Sequence, residues 1–85
     1  MKMDKVLIRL YIPMLEEKYD MWIPLNKKID DVVKLLIKAI DELSGGKYKP
    51  DKMPILYNKV TDEAYDVNLI VNESTIRNGT SLMLI

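Results

Sequence analysis

Eighty-five residues make one domain, with one modest core and little room for a deep catalytic cavity beside it. Thirteen basic and thirteen acidic side chains cancel, which removes the cationic surplus that nucleic-acid binders carry. A composition 48% hydrophobic and 31% charged is too apolar for a disordered chain, and no apolar run approaches the ~20 residues of a membrane span. The absence of Cys and of a leader-like apolar segment before a cleavage site leads to the expectation of a soluble cytoplasmic protein that does not insert into membranes.

Residues 5–13, KVLIRLYIP, predict a strand. Val6, Ile8, Leu10 and Ile12 fall on one face, and Leu7, Arg9 and Tyr11 on the other. A strand apolar on both faces belongs in the middle of its sheet. MLEE makes a turn, and KYDMWIP (18–24) alternates as the second strand of a hairpin. Residues 29–46 then predict an amphipathic helix, in which Ile29, Val32, Val33, Leu35, Leu36, Ile37, Ala39, Ile40 and Leu43 share one broad arc. Asp30 and Asp31 suit its positive N-terminal end, and Gly45-Gly46 suits its stop.

After a loop at 47–52, MPILYN (53–58) predicts a short third strand. A turn at Thr61-Asp62-Glu63 leads to a brief fourth near Ala64–Val67. Residues 68–79 predict irregular chain with a helical turn. After Asn78-Gly79, TSLMLI predicts the closing strand, with Leu82 and Leu84 toward the helix and Ser81, Met83 and Ile85 away from it. The order gives an α+β fold in one domain, 1–85: a mixed sheet of four to five strands with one helix packed on one face. The crossover through the helix lets a late strand lie parallel to the first.

Chemistry is scarce. Without His or Cys there is no triad, no thiolate nucleophile and no typical zinc site, and no phosphate-binding glycine motif occurs. The carboxylate pairs Asp30-Asp31, Asp41-Glu42 and Asp62-Glu63 fall on a solvated helix face and a turn. Lys47, Tyr48, Lys49 and Lys52 form a small basic, aromatic cluster that is read as a solvated loop. No catalytic residue, cofactor site or metal site is assigned, and the protein is read as not an enzyme.

The pattern resembles the β-grasp of ubiquitin-like proteins over nearly the whole chain. KKIDDVVKLLIKAI stands where they carry the helix, PILYN where they carry the third strand, and STIRNGTSLMLI is similar to their closing turn and final strand. YDMWIP and IRNGTSLMLI more narrowly resemble the YukD/EsaB family of type VII secretion accessory proteins. The resemblance implies a ubiquitin-like interaction module with an accessory or regulatory role in secretion. The alternative is a ubiquitin-like modifier or sulfur carrier that has lost its tail. Such carriers place a flexible Gly-Gly after the last strand, whereas the Gly-Gly here is internal and better explained as a helix stop. The codons after Ile85 separate the two readings.

One helix covers one face of a sheet, and the other should then be polar. Instead the alternation puts Leu7, Tyr11, Trp22, Met83 and Ile85 there, with Arg9. The ubiquitin-like resemblance adds Leu56, since family members bind partners on this face at that position and along the final strand. These seven residues are the candidate interface, for a protein partner such as a secretion-system component or for a second copy of the chain.

Overall fold

The strand expected at the centre is there. In the computed structural model, which describes residues 4–85, β1 (Lys5–Ile12) lies between two neighbours in a four-stranded sheet. Its partner β2 (Glu17–Pro24) runs antiparallel, from Lys5 opposite Pro24 to Ile12 opposite Glu17. On its other side β4 (Ser81–Leu84) runs parallel, and β3 (Leu56–Asn58) closes the order β2-β1-β4-β3.

Between β2 and β3 the chain crosses over through helix α1 (Ile29–Leu43). Ile29, Val32, Val33, Leu36 and Ile40 are buried from the helix, and Val6, Ile8, Leu10 and Ile12 from β1. Two ends of this helix are satisfied differently. No side chain caps the N-terminus; the Ile29 and Asp30 N–H groups instead donate to the carbonyls of Leu69 (2.9 Å) and Val67 (3.0 Å). At the C-terminus Gly45 and Gly46 take φ of 72° and 85°, and the Gly46 N–H donates back to the Asp41 carbonyl at 2.7 Å. This is the glycine stop expected from the sequence.

The Asn78-Gly79 turn aligns β4 with β1 before their ladder begins. Leu7 N–H donates to Asn78 Oδ1 (2.9 Å), and Gly79 N–H donates to the Leu7 carbonyl (2.8 Å). The asparagine side chain thus stands in for a strand neighbour, and Gly79 at φ 86° reverses the chain without a Cβ penalty.

Three expectations are corrected. The apolar arc of the helix is narrower than its composition: Leu35 is 52% exposed and Leu43 62%. Leu35 sits on the helix flank and Leu43 in its last turn, and a single helix on a sheet buries only a stripe. The strand expected near Ala64–Val67 reduces to one bridge, Tyr57 with Ala64. Asn58 Oδ1 accepts from the N–H groups of Val60 and Thr61, and Asp62 takes φ of 61°, so the chain turns before a ladder can extend. The third strand is Leu56–Asn58 rather than 53–58. Beyond it Ile55 and Ile85 still exchange backbone hydrogen bonds.

The helical turn expected in 68–79 is a 3-10 turn at Val71–Glu73. Val71 and Ile76 are fully buried, and the Val71 and Asn72 N–H groups bond to the carbonyls of Lys27 and Leu25. This segment therefore packs along the β2–α1 connection and into the core.

Leu36 and its exposed neighbour Leu35 make a paired test of the packing. Leu36→Ala should cost about 2–5 kcal/mol of stability by leaving a cavity under the helix. Leu35→Ala should shift it by no more than about 0.5 kcal/mol. Urea denaturation of the two variants measures the difference.

Candidate functional site

The face of the sheet opposite the helix is built by cross-strand register. Leu7 lies opposite Trp22 at one end. The next row runs Asp20, Arg9 and Ser81 across β2, β1 and β4. The third runs Lys18, Tyr11, Met83 and Tyr57 across all four strands. Ile85 and Ile55, joined by their exchanged hydrogen bonds, continue the face past the strand ends. Trp22 is 57% exposed and Ile85 58%, while Tyr11 and Met83 are half-buried.

The structure thus places six of the seven sequence candidates on this face: Leu7, Arg9, Tyr11, Trp22, Met83 and Ile85. Leu56 is the exception. It lies opposite Leu84, and directly opposed residues share a face, so both point at the helix and Leu56 is 1% exposed. Tyr57, opposite Met83, holds the surface position instead. The error is one of parity. ILYN offers a large side chain at every alternation, so only the register with β4 decides which faces out.

The six do not form one patch. Arg9 Nε donates to Asp20 Oδ1 at 3.3 Å, and this hydrated ion pair separates Trp22 and Leu7 from the Tyr11, Met83 and Tyr57 row. Ser81 is small, and Lys59 reaches over the sheet to place its Nζ 4.6 Å from the centroid of the Tyr11 ring. The face therefore carries Lys5, Arg9, Lys18 and Lys59 against one carboxylate, Asp20.

Apolar surface that the sequence reasoning missed lies beyond Ile85. Met14, Met53 and Ile55 are each about half exposed and line, with Pro13 and Ile85, a groove of about 430 Å³. The signal was available only for Ile55, which must share the face of its partner Ile85.

The basic, aromatic cluster at 47–52 does not form a platform. Tyr48 is buried in the core, and Lys49 is held by Asp41 at 3.0 Å. Burial pushes the Tyr48 phenol above the ordinary tyrosine range. Among the described residues there is no group of three or more metal-ligating side chains, and no helix long and apolar enough to cross a membrane.

No protein-family model and no curated protein matches the sequence. Solved structures do match in shape. The chain aligns with TM-score 0.79 to a chain of the MycP5-free ESX-5 inner membrane complex, over 96% of its own length and 21% of that chain, at 10% identity. It therefore spans about a fifth of that protein. It aligns with TM-score 0.74 to the ubiquitin-like domain of the Mycobacterium tuberculosis type VII secretion system protein EccD1, covering 98% of itself and 99% of that domain at 10% identity. The chain has the ubiquitin-like β-grasp fold. A component of the toluene 4-monooxygenase HD complex matches it as well, with TM-score 0.75, 11% identity and coverage of 94% and 95%. At identities this low the likeness in shape shows the fold alone.

Two measurements check this geometry. Trp22 fluorescence should be red-shifted and readily quenched by acrylamide in the folded protein. Tyr48→Phe should leave stability at neutral pH nearly unchanged. A phenol whose folded value is raised loses stability as pH climbs past the unfolded value, about 10. The variant should therefore lose less stability above that pH than the parent, read by chemical denaturation.

Proposed function

We propose that this ubiquitin-like chain is a non-enzymatic interaction module, a YukD-like accessory or regulatory component that serves a type VII secretion system in the cytoplasm. It captures a protein partner on the sheet face opposite the helix. The observation that carries this reading is the exposed Trp22–Leu7 pair, set across the Arg9–Asp20 row from Tyr11, Met83 and Tyr57 on the face opposite the helix. Aromatic, Met and Arg side chains are the types enriched at protein interfaces. The likeness to the EccD1 domain and to a chain of the ESX-5 complex supports the secretion context. The lack of His and Cys supports a binding rather than a chemical role.

The division of the face by Arg9 and Asp20 specifies the partner's chemistry. Two apolar contacts flank a polar row, and cations outnumber carboxylates. A fitting partner has two apolar ridges with acidic groups beside them.

Trp22→Asp combined with Met83→Asp removes both apolar contacts and spares the core. Binding to a recombinant type VII secretion component should weaken roughly 30-fold or more, as for residues that act as hot spots. Isothermal titration with a variant shown by circular dichroism to be folded reads the change. Undiminished affinity would remove this face as the site.

A further inference from the structure

The open face is not the only uncovered surface. β2 is an edge strand, and its outward backbone groups can be identified from β1. Gly79 and Asn78 bond to Leu7, and Thr80 accepts from Arg9, so Leu7 and Arg9 turn their N–H groups toward the β4 side. Their cross-strand partners Trp22 and Asp20, and Lys18 opposite Tyr11, therefore turn their own N–H and C=O groups away from β1. Among the described residues nothing bonds to that side of β2.

The layer above this edge is uncovered too. Tyr19 and Met21, on the helix side of β2, are only partly buried. Leu35 and Leu43 are exposed on one flank of α1, eight residues apart with Ala39 between. Leu43 shares a hollow with Glu17 and Tyr19, which fixes that flank as the one over β2. An unpaired ladder and an apolar flank thus lie on the same side of the molecule.

We propose that this edge is a self-association site for a second copy of the chain, the two β2 strands pairing antiparallel about a two-fold axis at Tyr19. The charge pattern selects both the occupant and the register. With the axis at Tyr19, Lys18 of each copy forms a hydrogen-bonded pair with Asp20 of the other, opposite charges on the same face. Tyr19 then meets Tyr19 of the second copy on the helix side. Moving the axis to Asp20 sets two carboxylates directly opposite each other. Moving it to Met21 opposes Lys18 to Pro24, which has no N–H to give.

Edge charges usually prevent such pairing when they repel. Lys18 and Asp20 alternate in sign, so an antiparallel copy turns the same charges into an attraction. The formal net charge of zero adds no overall repulsion between copies. Two four-stranded sheets become one continuous sheet, with both helices on one side and Leu35 and Leu43 brought toward the partner's flank.

The test is sedimentation velocity of the full chain at low salt, from micromolar to millimolar. The parent should show a monomer–dimer equilibrium. Lys18→Asp and Asp20→Lys should each weaken it roughly 10-fold or more, since both symmetric pairs become repulsive. An equimolar mixture of the two single variants should restore it, because one copy then offers acids and the other bases at both positions. Hydrogen exchange should slow at the Lys18, Asp20 and Trp22 amides as dimer forms. Lys38→Ala, on the exposed outer side of the helix, should leave the equilibrium unchanged. A chain monomeric throughout the range, a mixture that fails to reassociate, or a dimer with those amides unprotected would each overturn the proposal.

Discussion

The packing of one helix against one face of a four-stranded sheet governs both what is buried and what is left open. A helix with its side chains is about 10–12 Å across, and strands lie about 4.8 Å apart. One helix therefore cannot roof a four-stranded sheet even on its own side. Here the roof is completed asymmetrically. Tyr48, Tyr65, Val71 and Ile76, from the chain after the helix, join the core. Over β2 no such segment arrives, and Tyr19, Met21, Leu35 and Leu43 remain partly or largely exposed. The opposite face receives no helix, and among its rows Lys59 reaches over Tyr11. The two uncovered surfaces follow from the same count of one helix against four strands.

The sequence makes the long-period features legible. Eight residues of two-sided apolar alternation place β1 at the centre, and the spacing of Ile29, Val33, Leu36 and Ile40 announces the helix and its inward stripe. The glycines after the helix and the Asn78-Gly79 turn carry their own backbone chemistry, so their roles are also visible. What fails is short. A three-residue strand has no periodicity to average over, and Leu56 and Tyr57 exchange faces with a single step of register. Composition likewise overstated the helix arc, since Leu35 has the right hydrophobicity but sits on a flank that the sheet does not reach. The strand expected near Ala64 lost to local turn chemistry at Asn58 and Asp62, which no pattern of apolar residues reports.

The fold itself constrains the surface weakly. Chains at 10–11% identity reach the same shape, which requires only that the inward positions stay apolar and of suitable volume. Outward positions are free to differ, and here they leave Trp22, Tyr11 and Met83 exposed or half-exposed on a face that in a lone domain is commonly polar. Arg9, Asp20 and Lys59 divide the apolar parts of that face with charge.

Asp20 belongs to both surfaces. Its carboxylate pairs with Arg9 across the open face, while its outward backbone groups and the same carboxylate lie at the edge proposed for self-association. A second copy at that edge brings Lys18 to Asp20 and competes with Arg9 for one anion. Arg9, relieved of part of its partner, becomes a stronger donor toward an acidic group arriving on the open face. By linkage the reverse also holds: a partner carboxylate that draws Arg9 away frees Asp20 to accept Lys18 of a second copy. Under the two proposals, occupation of the edge and occupation of the face would favour each other, through a single carboxylate between a row of β1 and the rim of the sheet.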